Sequence, residues 1–213
     1  TVSASAYLGQ SRRSDGEFRD QSGVSFPMRT NSGAAPAMVN LNATWRNGEI
    51  GFLYDSYEIT DRTGYSEALP RPMELDFSGY YLKARYKFEL PQDFTLTPRV
   101  RFKRQQPWRA LTTDQEARDV AYYDKTYQRL EGSLVLGWTG IEGLNALLGL
   151  EAYRDDARVD GEQVGLNSLF GDQREVTYAN FAAFAQGIYT NPIVNVTLGA
   201  RFENHSVVGS SFV

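Results

Sequence analysis

The chain has 213 residues, 22 basic against 26 acidic, a net charge of -4 and a mean hydropathy of -0.45. That balance provides no global basic field for nucleic acid, and no stretch approaches the ~18 apolar residues of a membrane helix. Cysteine is absent, in keeping with export to an oxidising envelope, and 13 Tyr with 12 Phe suit strands and membrane interfaces better than helices.

Val2, Ala4, Ala6 and Leu8 alternate with Thr1, Ser3, Ser5 and Tyr7, which predicts a strand already under way at Thr1. No signal peptide precedes it, so a processed chain or a segment of a longer one is expected. Residues 10–37 follow as a polar stretch with Arg12, Arg13, Asp15, Glu17, Arg19 and Asp20, too long for a structureless loop in a compact soluble domain. The next strand sets Val39, Leu41, Ala43 and Trp45 against Asn40, Asn42, Thr44 and Arg46. Asn47-Gly48 then predicts a type I′ turn. Pairing Arg46 with Glu49 places Trp45 opposite Ile50, Ala43 opposite Phe52 and Leu41 opposite Tyr54, so the apolar face crosses the turn without a slip.

A loop is predicted over 59–74. After it Tyr80, Leu82, Ala84, Tyr86 and Phe88 share one face and Lys83, Arg85, Lys87 and Glu89 the other. Beyond a turn at Pro91-Gln92-Asp93, Phe94, Leu96, Val100 and Phe102 resume the apolar face, with Thr95, Thr97, Arg99, Arg101 and Lys103 opposite. Helical spacing would scatter these cations round a cylinder. A loop over 104–125 leads to Leu130, Leu134, Leu136 and Trp138, a turn near 140–143, and Leu144, Ala146, Leu148 and Leu150. Arg129, Glu131, Asn145 and Glu151 fall opposite. A loop over 155–174 precedes a last pair at about 175–189 and 193–203, and 205–213 is expected to be a loop running into an unfinished strand.

Short turns gather at one sheet end and long loops at the other, on strands of about fifteen residues where soluble ones average five or six. A soluble sandwich or propeller has no reason for either feature. A transmembrane β-barrel has both. Trp45, Phe88, Phe94, Trp138 and Tyr189 sit beside the turns on the apolar face, and Tyr54, Tyr80, Phe102 and Phe202 toward the loops. Eight residues separate Tyr80 from Phe88; at about 3.3 Å each and ~40° tilt they span roughly 20 Å, near the ~25 Å band between aromatic girdles. The stripe of Lys83, Arg85, Lys87, Arg99, Arg101 and Lys103 needs water or a polar partner, since burial against an apolar layer is prohibitive. Glu49, Asp55, Glu131 and Glu151 are placed to neutralise part of it.

Tyr178-Ala179-Asn180-Phe181-Ala182-Ala183-Phe184-Ala185-Gln186 leads through Thr190-Asn191-Pro192 to Val196-Thr197-Leu198-Gly199-Ala200-Arg201-Phe202-Glu203-Asn204-His205, and Gly209-Ser210-Ser211-Phe212 follows. These residues resemble the barrel of TonB-dependent outer-membrane receptors, where Leu-Gly-x-Arg-Tyr-x-x-His and a strand-opening Gly-Ser-x-Phe are common. The match is close over about forty residues and loose over the rest. It implies an all-β, antiparallel 22-strand barrel of which residues 1–213 are nine or ten strands, with the plug domain and remaining strands outside them. It further implies outer-membrane location and energised uptake of a metal chelate, vitamin or glycan. The partners it implies are lipid and lipopolysaccharide, the protein's own plug, the TonB complex and a small-molecule ligand. Glu131 and Glu151 then become candidates to clasp plug arginines. The basic stripe either draws in an anionic ligand, grips acidic plug residues, or is a hydrated wall with internal ion pairs. A passive porin is the rival function.

Chemistry beyond transport has thin support. Trp108, Arg109, Tyr122 and Tyr123 mix aromatic surface with charge in a predicted outer loop, and suit a ligand platform, loop packing or lipopolysaccharide contact. His205 and Ser206 are adjacent, and neighbours on a strand edge point apart, which argues against a hydrolase pair. Asp155, Asp156, Asp160 and Glu162 miss the alternate spacing of a calcium loop. No catalytic residue, metal site or cofactor is expected.

Overall fold

The computed structural model describes residues 1–63, 67–111, 124–160 and 173–213. Its strands are β1 (Val2–Leu8), β2 (Ser11–Arg12), β3 (Glu17–Arg19), β4 (Ser25–Pro27), β5 (Gly33–Trp45), β6 (Gly48–Asp61) and β7 (Met73–Tyr86), then β8 (Phe88–Leu90), β9 (Phe94–Ala110), β10 (Lys125–Ile141), β11 (Leu144–Val159), β12 (Glu175–Thr190), β13 (Asn195–His205) and β14 (Gly209–Phe212). Twelve of them form one antiparallel sheet, ordered β1-β5-β6-β7-β9-β10-β11-β12-β13-β14, with β2 beside β5 and β8 beside β9. The sheet is open. A separate pair, β3-β4, stands in the first loop with Phe26 buried beneath Phe18.

Direct ladder partners share a face, so register turns alternation into continuous surfaces. Leu41, Phe52, Leu82, Phe102 and Leu130 form one row across five strands. Pro98, Leu134, Leu150, Ala183, Phe202 and Phe212 form another. These rows are not a dry core: Leu82 is 43% exposed, Leu134 41% and Val196 41%. The buried apolar cluster, Leu69, Met73 and Leu75 with Ile59, Phe77 and Trp108 against it, lies at the loop end on the opposite face.

The rows also climb. One row runs Val2, Ala43, Ile50, Ala84, Val100, Gly132, Ala152, Phe181, Asn204. It meets β5 beside its turn and β13 beside its loop end. A sheet that curls shut needs such a stagger.

The first hairpin corrects the sequence expectation. Trp45 pairs with Gly48, Ala43 with Ile50 and Leu41 with Phe52, two residues away from the predicted register. Arg46 takes the positive φ of 49° and Gly48 belongs to the ladder, so the turn is Arg46-Asn47 rather than Asn47-Gly48. An even shift keeps every side chain on its face, and that is why face assignment survives while the partners change.

Two predicted loops shrink because strands run further than the apolar pattern. β9 continues to Ala110 through a bulge in which Asp76 and Ser78 face Arg109 and Gln106. β11 continues to Val159. There both faces are polar, with Arg104, Arg154, Asp156 and Arg158 on the otherwise apolar side, so the hydrophobic period disappears while the ladder persists. Residues 205–213 are a tight turn into β14, which pairs with β13, so one loop-end connection is short. The His205 imidazole Nδ1 accepts the Val207 and Val208 amides there, at 3.2 and 3.4 Å.

The two first long connections are clasped together. The Asp20 carboxylate accepts the Ala68 amide at 2.8 Å, the Val24 amide at 2.7 Å and the Ser22 hydroxyl at 2.9 Å, and Arg62 lies 4.7 Å over the Phe26 ring. The Ala68 N–H, more than the others, holds the Asp20 carboxyl below its ordinary value. The clasp is therefore complete at neutral pH and lost as pH falls through that depressed value, below the usual ~4. The protection factor of the Ala68 amide, its exchange compared with the intrinsic rate at the same pH, is expected to be high at neutral pH, to fall as Asp20 is protonated, and to be low at every pH in Asp20→Ala. Leu75 is fully buried, so Leu75→Ala is expected to cost about 2–5 kcal/mol, read as an earlier urea midpoint by tryptophan fluorescence.

Candidate functional site

Alternation on β7 and β9 brings the predicted cations to one face, and register supplies their counter-ions from both sides. Glu49 pairs in the ladder with Arg85, and accepts from Arg85 Nε at 2.7 Å and from Lys83 Nζ. Glu131 lies opposite Arg101 and bonds to it. Arg99 reaches between Glu131 at 4.0 Å and Glu151 at 3.8 Å, beyond hydrogen-bond distance, and its buried Nε has no hydrogen-bond partner. Glu151 also accepts from Arg201 at 2.9 Å, and Arg201 bonds Glu203. Lys87 stands exposed between β7 and β8, its amide donating to the Asn47 carbonyl.

Lys103 differs from its neighbours. Its ammonium lies 5.6 Å from the Tyr81 ring centre and 5.7 Å from that of Tyr127, and its nearest ring contacts are these cation–π ones. Beside it Arg129 forms a fork with Asp155, both bonds 2.6 Å, and the Tyr127 hydroxyl donates to the same carboxylate at 2.7 Å. Arg129 stacks 4.2 Å over Tyr153, and His205 lies against Tyr153 and Tyr178. The network thus spans β6 to β13. Where no side chain fills the surface a ring covers it: a Cβ at Gly149 would sit 2.0 Å from the Phe184 ring, so only glycine fits.

Arg129, Asp155, Arg201 and the tyrosines were not singled out from sequence as members of a site. Tyr81 was legible from the β7 alternation. Asp155 was not, because the predicted loop began there. Trp108 and Arg109 are corrected from loop to β9, and the bulge turns Trp108 onto the charged face, edge-on to Phe77 at 5.2 Å. Arg109 pairs with Asp76 in the ladder. Tyr122, Tyr123 and Glu162 lie outside the described residues. Asp155 and Asp156 belong to β11, each held by arginine, and among the described residues no cluster of His, Asp and Glu has the makings of a metal site.

On the apolar face the turn-side aromatics include Trp45, Phe88 and Tyr189, all exposed, and Phe94 beside Trp138 with centres 6.1 Å apart. The Trp138 indole N–H donates to the Gln92 carbonyl at 3.2 Å, and Arg46 covers Trp45 at 4.7 Å. Toward the loops Tyr54 pairs with Tyr80, Tyr80 packs 5.9 Å from Phe102, and Phe202 pairs with Ala183. Arg104, the ladder partner of Tyr80, ends the apolar field on that side.

Compared with protein-family models, curated proteins and solved structures, the chain finds no match in any of the three. Among the described residues no helix is long and apolar enough to cross a membrane, which says nothing of a barrel crossing with strands.

Asp155 is the most enclosed acid of the network, its side chain 10% exposed, and holds two partners. Asp155→Asn is expected to cost about 1.5–3 kcal/mol, measured as a lowered urea midpoint, whereas Glu203→Gln at the exposed rim should shift it by less than about 1 kcal/mol.

Proposed function

We propose that this sheet is part of the wall of an outer-membrane β-barrel. The whole protein would be a receptor that imports a scarce nutrient, a metal chelate, vitamin or glycan, in TonB-dependent fashion. One observation carries the barrel: an uncovered apolar face, bounded at both ends by aromatics, backs onto a hydrogen-bonded ionic face. Lipid suits the first and an aqueous lumen the second, since unpaired polar or charged groups in hydrocarbon are strongly disfavoured. The staggered register supports closure.

The receptor half of the proposal is supported by the closing motif, Leu198 to His205 with Gly209 to Phe212, which the ladder joins through Phe202 and Phe212. A plug, the TonB complex, lipopolysaccharide and a small ligand are its proposed partners. No covalent chemistry belongs to the proposal: Nδ1 of His205 caps a turn and Ser206 Oγ accepts the Ala179 amide. A passive porin is favoured by one detail, that Glu131 and Glu151 are already engaged by arginines of their own wall.

The full-length protein is expected in the outer-membrane fraction with heat-modifiable migration, and its uptake should stop in cells lacking TonB; uptake that continues there selects the porin. Leu134→Arg, on the apolar face, is expected to cost about 2–4 kcal/mol and deplete the heat-modifiable band. Ser133→Arg, on the charged face beside it, should leave that band intact. Equal tolerance of both would refute the barrel.

A further inference from the structure

Charge on the inner face is unevenly compensated. Glu49 serves both Lys83 and Arg85, and Glu131 serves Arg101 while Arg99 hangs between it and Glu151. Arg99 keeps a buried Nε without a partner. Lys103 meets aromatic faces and makes no ion pair among the described residues; Asp55 acts on it only from a distance. Arg99, Arg101 and Lys103 occupy successive inner positions of β9, so their Cα atoms span about 13 Å.

These cations line two adjoining cavities. One, of about 600 Å³, is walled by Tyr81, Lys83, Arg101, Lys103, Arg129 and Glu131 among others. The second, about 210 Å³, shares Lys83 and Arg101 and adds Arg85, Arg99 and the Glu49 carboxylate. Neutral donors complete the larger one. The Asn42 amide donates one N–H to Asn40 Oδ1 and keeps the other, and the Tyr81 hydroxyl, which accepts from Gln105, keeps its own proton to give. Lys103 thus faces a cavity lined by Tyr81, Lys83, Arg101 and Arg129, with Glu131 as its carboxylate.

We infer that this strip is a binding site for a small polyanion, a molecule carrying two or more carboxylate or phosphate groups, with Lys103 and Arg99 as its principal cationic contacts. The inference rests on the barrel reading, because only a lumen makes this face accessible to a solute. Donors outnumber acceptors, and guanidinium and ammonium groups both bond anionic oxygens more strongly than neutral ones. A neutral solute would leave Lys103 without an ion pair among the described residues and Arg99 facing Glu131 and Glu151 at ion-pair distance without a hydrogen bond to either.

The test is calorimetric titration of the full-length detergent-solubilised protein with citrate and with inorganic pyrophosphate at low ionic strength, with sucrose as neutral control. Both anions are expected to bind and sucrose to be silent. Lys103→Met and Arg99→Met should each weaken the anions by at least about tenfold while the heat-modifiable band is retained. A heat-modifiable protein that ignores both anions, or binds them equally well in the two variants, overturns the site and leaves the barrel standing. A protein without heat-modifiable migration overturns the barrel itself. Anion silence combined with faster proteolytic release of an upstream domain in Lys103→Met also overturns the inference, since the strip would then hold an acidic segment of the protein.

Discussion

The backbone ladder of β5 to β13 holds this molecule's two surfaces apart. Side chains alternate along every strand, so a single-residue slip anywhere would carry Lys83 or Arg101 among Leu82 and Phe102. The register forbids it, and everything else follows from that separation. Apolar residues collect on one face without a covering layer, and charges collect on the other at distances where they pair.

Pairing on the charged face is cooperative across strands. Carboxylates answer cations from other strands: Glu49 on β6 holds two from the adjacent β7, and Glu151 on β11 reaches across one strand on either side to β9 and β13. The ion pairs therefore act as cross-links perpendicular to the chain, adding to the ladder they lie upon. At the loop end the same face changes character. Leu75, Met73 and Leu69 with Trp108 form a small dry cluster there, and the Asp20 clasp binds the first two connections over it.

Sequence pattern disclosed the strands wherever one face is apolar and the other charged, as on β7 and on β9 up to Lys103. It failed past Arg104 and past Arg154, where both faces are polar and the ladder continues on backbone bonds that no side-chain period reports. Bulges add to this: the extra residue near Gln106 inverts parity, so Trp108 faces the side that simple counting denies it. The turn at Arg46-Asn47 shows the reverse case. A shift of two residues alters every partner and leaves every face unchanged, so alternation cannot detect it. The cations of the candidate site were legible one by one, and so were three of their counter-ions, Glu49, Glu131 and Glu151; Asp155 and Arg201 were not, because they become neighbours of the stripe only through register.

In the proposed closed barrel the climbing rows would have a consequence for anything that travels along the wall. Thr44, Glu49, Arg85, Arg99, Ser133, Glu151, Ala182 and Glu203 are consecutive ladder partners, yet the first stands beside a turn and the last near the opposite rim. Such residues form a spiral staircase instead of a ring. A solute descending the axis would be handed from one strand's charge to the next, step by step, and would never face a single encircling gate of one sign.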